Sequence, residues 1–119
     1  MAIHAGVGLS KLKDPYQAGY EACQKASEQL NGKKPNLIIT FTSVSLDQEE
    51  VIHGINEASN NAPLIGCTDA GEITNEGPNQ KSVGVMAIYS DTVEFYTGLG
   101  LDIKDGAREA GQAVAKNVQ

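Results

Sequence analysis

The hydrophobic pattern of the chain alternates between short strand-like runs and segments with helical spacing. Residues 5–9, 37–41 and 63–66 are apolar runs of the length that buried strands have. The two segments between them place small and apolar residues three and four positions apart, as one buried face of a helix does. A strand–helix–strand order of this kind predicts parallel strands joined by right-handed crossovers.

Two of the helices carry clear start signals. Asp14 precedes Pro15, so we predict Asp14 as the N-cap and Pro15 as the first helical residue, with Gln17 completing a capping box. Asp47 stands three residues before Glu50 and is predicted to cap the second helix in the same way.

The buried faces of these helices follow from the same spacing. In the first helix an apolar stripe runs beside a seam of alanines that permits close packing on a sheet. The stripe is Tyr16, Tyr20, Cys23 and Leu30, and the seam is Ala18, Ala22 and Ala26. The predicted buried face of the second helix is Val51, Ile52, Ile55 and Ala58.

The second half of the chain predicts a hairpin and a last helix. Residues 75–81 read as a polar turn, and residues 83–89 and 93–96 as two strands joined through Ser90 and Asp91. Asp105 is predicted to cap a helix whose apolar face is Ala107, Ala110, Val114 and Val118. The order is β-α-β-α-β-β-β-α. It predicts one α/β domain over residues 1–119, with a mixed sheet of about five strands and helices packed on it.

Composition narrows the functional classes. The chain has 119 residues, no tryptophan and a net charge of −6, so a nucleic-acid partner, which needs clustered basic residues, is not expected. The basic pairs, Lys11 with Lys13 and Lys33 with Lys34, are predicted to be solvated loop positions. Two cysteines without a paired spacing, and a first segment unlike a signal peptide, favour the reducing cytoplasm. No apolar run is long enough for direct membrane contact by a spanning helix.

Candidate binding residues follow the three predicted parallel strands, where α/β proteins gather their ligands. The candidates are Ser10, Thr42, Ser43, Gly66, Cys67, Thr68, Asp69, Gly71 and Glu72. Hydroxyls and backbone N–H groups near the helix that Asp47 opens could hold a carboxylate, and Asp69 or Glu72 an ammonium. This set of residues predicts that the ligand is a zwitterion such as an amino acid. A second interpretation stays open, in which the two glycines only permit a turn.

Catalytic and cofactor motifs are weak. A nucleophilic cysteine needs a base, and the two histidines, His4 and His53, are not placed by sequence near Cys67. There is no Gly-x-Ser-x-Gly elbow, dinucleotide fingerprint, phosphate loop or metal-ligand spacing. We therefore expect no catalysis, no cofactor and no metal. Cys23 is expected to be a core residue.

Several segments together resemble the N-terminal part of the FIST domain, a sensory domain of bacterial signal-transduction proteins. They are residues 8–10, the Asp14-Pro15 helix with its alanine seam, residues 37–43 and, most specifically, residues 63–72. The resemblance implies binding of small ligands, amino acids among them, upstream of histidine kinases, methyl-accepting chemoreceptors or nucleotide-cyclase modules. Two features depart from the family pattern: the family's C-terminal half is absent, and Asp69 stands where a small hydroxyl residue is expected.

Two other functions remain open at this point. One is a thiol-dependent enzyme that uses Cys67 as its nucleophile. The other is a homodimerisation or interaction module, in which the last helix and the small-residue seams pack on a second copy of the chain.

Overall fold

The computed structural model describes residues 3–69, 72–74, 77–79, 81–99, 101, 104 and 106–116, with backbone only at 69, 72–74 and 77–79. Six strands and three helices lie in these residues. The strands are β1 (Ile3–Ser10), β2 (Leu37–Ser43), β3 (Leu64–Asp69), β4 (Glu72–Thr74), β5 (Gly77–Asn79) and β6 (Val83–Ser90). The helices are α1 (Pro15–Ser27), which a 3₁₀ turn (Glu28–Leu30) follows, α2 (Gln48–Ser59) and α3 (Ala107–Ala115).

Four strands form a mixed sheet in the order β1-β6-β2-β3. Strand β6 runs antiparallel to both β1 and β2, whereas β2 and β3 are parallel. As a result β1, β2 and β3 all point the same way, and their carboxyl ends lie at one edge of the sheet. A separate two-stranded sheet pairs β4 with β5.

The predicted helix starts are confirmed. The Asp14 carboxylate accepts a hydrogen bond of 2.9 Å from the N–H of Gln17, and Pro15 is the first residue of α1. The Asp47 carboxylate accepts one of 3.3 Å from the N–H of Glu50 at the start of α2. Each carboxylate satisfies an N–H that the helix itself leaves unpaired.

Helices α1 and α2 cover one face of the sheet and form the core with it. The alanine seam of α1 is fully buried together with Cys23, as predicted, whereas Tyr16 and Tyr20 are only half-buried. Val51 and Ile55 of α2 are buried, but Ile52 is 38% exposed and was wrongly placed on the buried face. The backbones approach so closely that a Cβ at Gly8 would lie 2.0 Å from the Ala22 carbonyl oxygen.

The other face of the sheet is apolar and partly exposed, although Leu9 and Leu37 on this face are buried. Val7, Met86, Ile39 and Ile65 lie in one row across the four strands, because each is paired in register with the next. Met86 is 39% exposed and Ile65 44%, and Phe41, one row further on, is 45% exposed. By contrast, the row Gly8, Val85, Thr40 and Gly66 faces α1 and α2. The sheet is therefore covered by helices on one side only within the described residues.

The α/β class and the mixed sheet are confirmed, but the strand count and order are not. The main sheet has four strands rather than about five, and a separate hairpin is present. Residues 93–96 were predicted to pair with β6, yet they form no strand. The reason is topological: β6 lies between β1 and β2, so both of its edges are already hydrogen-bonded. Instead, the Ser90 hydroxyl accepts hydrogen bonds from Thr92 and Val93 and turns the chain away.

Three further predictions about this half need correction. Residues 77–79 are a strand, not part of a polar turn, because they pair with β4. The N-cap of α3 is Gly106, which lacks a side chain for capping, whereas the predicted cap Asp105 lies outside the described residues. In α3 only Ala110 of the predicted apolar face is buried, and Val118 also lies outside the description.

Candidate functional site

The carboxyl ends of β1, β2 and β3 bring the predicted binding segments together. Ser10 and Thr42 flank Val83 on its two sides, and Thr42 is paired in turn with Thr68. These residues thus lie in one row across the whole sheet, about 4.8 Å apart from strand to strand. In the part of the chain that the structure describes, two depressions open beside this edge, and each is lined in part by residues 45–48.

The first depression is lined by three lysines on an apolar floor. We call it the lysine groove; its volume is about 480 Å³. Its lining residues are Lys11, Leu12, Lys13, Ser45, Leu46 and Lys81. Lys11 and Lys13 follow β1, and Lys81 precedes β6. Since β6 is antiparallel to β1, its first residue lies at the edge where β1 ends, and this topology collects the three positive charges.

Buried hydroxyls hold the loops of the lysine groove in place. Ser10 is 1% exposed, and its hydroxyl accepts a hydrogen bond of 3.3 Å from the N–H of Leu12. Ser43 is 4% exposed, and its hydroxyl lies 2.9 Å from the Ser45 hydroxyl. The Ser43 carbonyl oxygen also accepts a hydrogen bond from the N–H of Leu46. These two serines therefore shape the groove from below.

The second depression lies between α2 and the exposed edge strand β3. We call it the edge pocket; its volume is about 190 Å³. It is lined by Thr40, Thr42, Gln48, Ile52, Leu64, Gly66, Cys67 and Thr68. Gly66 permits the close approach of β3 to β2, because a Cβ there would lie 2.4 Å from the Thr40 carbonyl oxygen. The Thr40 hydroxyl donates a 3.0 Å hydrogen bond to the Gly84 carbonyl, so it is already satisfied within the sheet.

Gln48 connects the two depressions. Its side-chain amide lines the edge pocket and donates hydrogen bonds to the carbonyl oxygens of Ser43, at 3.0 Å, and Leu46, at 2.7 Å. Leu46 in turn lines the lysine groove. Residues 43–48 thus border both depressions. A shift of these residues in one depression would also change the shape of the other.

The predicted site residues are divided between the two depressions. Thr42, Gly66, Cys67 and Thr68 line the edge pocket. Ser10 and Ser43 support the lysine groove without lining it. All of these except Gly66 were predicted to lie in loops, and Gly66 to end its strand. This was wrong, because β2 extends to Ser43 and β3 to Asp69 through continued pairing. Asp69 ends β3 opposite Ser43, Glu72 begins β4, and Gly71 lies outside the described residues.

Sequence reasoning missed the lysines, Leu46, Gln48 and Ile52. Lys11 and Lys13 were interpreted as solvated positions, and they are exposed, but their clustering with Lys81 depends on β6 lying next to β1. That arrangement joins residues about seventy positions apart and leaves no local pattern. Gln48 could have been noticed as the polar residue that directly follows the N-cap Asp47.

The two cysteines differ sharply in environment. Cys23 is fully buried in the core, and burial raises the pKa of its thiol. Cys67 is exposed on β3. The ring of His53 lies 3.9 Å from the Glu50 carboxylate on α2, and His4 is paired with Tyr89 near the start of β1, at the end of the sheet away from Cys67.

Native-state alkylation should therefore separate the two thiols. Cys67 is expected to react with iodoacetamide in the folded protein, whereas Cys23 should stay protected until the chain unfolds. Burial also raises the pKa of the Cys23 thiol and leaves less thiolate at neutral pH, which protects Cys23 further. Peptide mass spectrometry before and after urea unfolding measures this. Equal labelling of both thiols in the native protein would contradict the described core.

Among the described residues, further depressions lie away from this edge. One of about 390 Å³ lies on the helix surface beside Tyr16 and His53. Another, about 470 Å³, lies at the opposite end of the sheet, where the Asn36 side-chain oxygen accepts a 2.6 Å hydrogen bond from the N–H of Ser90. Within the described residues, no helix is long and apolar enough to cross a membrane. The same part of the chain has no cluster of three metal-binding side chains.

The backbone is similar to part of FtsZ from M. jannaschii. For a point mutant of that protein the TM-score is 0.50 at 19% identity, and the match covers 74% of this chain and 27% of that chain. For an empty FtsZ dimer the TM-score is 0.44 at 21% identity, with 72% and 26% covered. The chain thus spans about a quarter of the length of these structures, and at such identities the likeness concerns the fold alone.

Sequence comparison with curated proteins gives no match. The comparison with protein families does: the FIST N domain matches residues 36–118, which include β2, β3, β6 and α3. The match therefore covers the larger part of the chain and contains every residue that lines the edge pocket. The chain belongs to the FIST N domain family, a family of sensory signal-transduction domains.

Proposed function

We propose that this domain senses a small molecule that binds where β1, β2 and β3 end, and that it does so without chemical conversion. The observation that carries the proposal is the convergence of two depressions on one connection, residues 43–48. Open α/β sheets bind their ligands beyond the carboxyl ends of the strands. The depression at the opposite end, beside Asn36, does not share this position.

An amino acid or a related zwitterion is the ligand class that we propose. The ammonium groups of the lysine groove supply partners for a carboxylate. Asp69, the last residue of β3, and Glu72, the first of β4, would supply a carboxylate for the ligand's ammonium group. Replacing both acids by amides, Asp69→Asn with Glu72→Gln, should weaken binding of a zwitterion. Unchanged affinity would remove these two residues from the site.

Signalling would follow from the coupling of the depressions through Gln48. A ligand that orders residues 43–48 favours one position of the start of α2, and α2 packs tightly on α1 through Gly54 and Gly19. Binding would thus shift a population between two arrangements of the helical face, as ligand-driven switches do. The partners that we propose are a histidine kinase or a chemoreceptor output module of a bacterial cytoplasmic signalling protein.

Thermal unfolding against a panel of amino acids and small organic acids tests the proposal. A ligand at a hundred times its dissociation constant adds about 2.7 kcal/mol to the stability of the folded state. For a domain of this size the midpoint should rise by roughly ten degrees. A rise confined to one chemical class supports the sensor, and no rise with any compound contradicts it.

The enzyme alternative is tested separately through Cys67. An alkylation rate of Cys67 that reports an apparent pKa below about 7 would favour a nucleophilic thiol. A rate typical of an exposed free cysteine would leave the sensor without a competing chemical function.

A second candidate function, homodimerisation, is favoured by the exposed apolar face of the sheet. Phe41, Ile65 and Met86 lie on that face. Strands of the observed lengths give the whole face an area of roughly 450 Å². Because Leu9 and Leu37 on it are already buried, two copies would bury at most about 900 Å², near the lower limit for a stable interface. Light scattering over a wide concentration range tests this function. A monomer at all concentrations would exclude it.

A further inference from the structure

The lysine groove concentrates positive charge on an acidic protein. The chain has nine basic and fifteen acidic residues, yet three of the nine basic residues line this one groove. Within the described part of the chain, no hydrogen bond or ion pair satisfies the ammonium groups of Lys11, Lys13 and Lys81. By comparison, Lys25 on α1 pairs with Glu21 at 3.3 Å and donates to the Leu9 carbonyl.

Two carboxylates next to the groove in the sequence have hydrogen-bond partners in their own helices. Asp14 directly follows Lys13, and Asp47 directly follows Leu46, so both lie beside the groove in the sequence. Each accepts a hydrogen bond from the first turn of its own helix, Asp14 from Gln17 and Asp47 from Glu50. Neither residue lines the groove. Within the described residues, neither N-cap carboxylate forms a direct ion pair with the three lysines.

The groove is also held in shape. The Ser10 hydroxyl fixes the turn at Leu12, and the Ser43 and Ser45 hydroxyls fix the opposite wall. Lys81 has a left-handed backbone conformation, with φ 55°, where the chain enters β6. Leu12 and Leu46 contribute an apolar surface between the charges. Loops anchored in this way lose little further freedom when a ligand binds.

We propose that the lysine groove binds a small organic dianion, a molecule with two carboxylates or one phosphate group, whose apolar part rests on Leu12 and Leu46. A dianion relieves the mutual repulsion of three ammonium groups more fully than a monoanion does. The net charge of −6 disfavours binding of a polyanion such as nucleic acid. The groove therefore complements the charge of a small anion only, within its own surface. The inference rests on the proposed function and narrows it: at the same edge of the sheet, the ligand carries two anionic charges, which among zwitterions only those with an additional acidic group do.

Calorimetric titration at low salt tests this inference, with succinate and inorganic phosphate as dianionic probes and acetate as the monoanionic probe. At least one dianion is expected to bind with a dissociation constant below about 1 mM, and acetate at least tenfold more weakly. Binding of the dianion should weaken as salt is raised. No dianion binding in this range, or equal binding of acetate, overturns the inference.

Two matched double variants distinguish binding in the lysine groove from a general effect of the protein's positive charge. Lys11→Gln with Lys81→Gln should weaken binding of the dianion about tenfold or more, since charge-assisted hydrogen bonds are lost. Lys33→Gln with Lys34→Gln removes the same charge from exposed positions before β2 and should change it less than twofold. An equal loss of affinity for the dianion in both variants would contradict the lysine groove as its binding site. A panel compound whose binding survives the first variant leaves the sensor standing while contradicting this inference.

Discussion

Val85→Lys is expected to abolish folding, whereas Met86→Lys, one residue further on, should leave the fold intact. Val85 is 2% exposed and lies in the row that α1 and α2 cover. An unpaired ammonium there would be buried in the middle of β6, the central strand that both β1 and β2 flank. The cost is expected to exceed 5 kcal/mol, comparable to the whole stability of a domain of this size.

Met86 is the matched control because it lies on the opposite face of the same strand. It is 39% exposed, so a lysine there can keep its ammonium group in water and should cost less than about 1 kcal/mol. Urea unfolding followed by circular dichroism measures both variants. If Met86→Lys also unfolds the chain, the outer face of the sheet is covered in solution. If both variants fold, the helices do not cover the face that the structure assigns to them.

Gly54→Ala should destabilise the domain strongly even though alanine is the better helix former. A Cβ at Gly54 would lie 2.1 Å from the Tyr16 carbonyl oxygen and 2.8 Å from the Tyr20 nitrogen. Both are backbone atoms of α1, so the two helices must move apart and lose packing. Overpacking of this kind costs about 3 kcal/mol, which outweighs the gain of about 1 kcal/mol in helix propensity. The unfolding midpoint should fall by about ten degrees.

Gly111→Ala provides the control for this prediction. Gly111 is also in a helix, α3, but a Cβ there would have no neighbour within 4 Å. Only the propensity gain remains, so stability should be unchanged or slightly raised. Differential scanning calorimetry compares the two variants directly. A Gly54→Ala protein as stable as the Gly111→Ala protein would show that α1 and α2 are not in backbone contact.

The sequence predicts elements well where the signal is local. The carboxylates of Asp14 and Asp47 cap the helices that they were predicted to cap, because capping needs only a side chain and an N–H three residues away. The alanine seam of α1 was recognised for the same reason. The glycines of β1, which pack against this seam, were predicted only to be part of a strand. Their contact with Ala22 and Ala26 requires knowledge of the tertiary packing.

Strand order was not predictable from local patterns. Residues 93–96 are apolar and follow a strand, which favours a hairpin. The insertion of β6 between β1 and β2 removes that possibility, and nothing near Ser90 in the sequence signals it. The same insertion places Lys81 beside Lys11 and Lys13. The position of β6 between β1 and β2 thus explains both why the predicted hairpin is wrong and why the lysine groove was not predicted from the sequence.

The candidate site was predictable in position more than in detail. The three segments after β1, β2 and β3 were expected at one edge, and the register confirms that they meet there. The prediction treated their polar residues as free loop groups. In the structure Ser10 and Ser43 are buried supports, since the strands continue further than their apolar runs do. Polar residues at strand ends therefore indicated the edge at which we propose the site, without showing which of them line a depression there.

A ligand site at the carboxyl ends of the strands is tested most directly by mapping backbone amide chemical shifts during titration of the compound that raises the unfolding midpoint most. The largest changes are expected at residues 11–13, 43–48 and 66–68, whereas Asn36 and Ser90, at the opposite end of the sheet, should change little. Changes concentrated around Asn36 and Ser90, or spread evenly over the chain, would contradict a ligand site at the carboxyl ends of the strands.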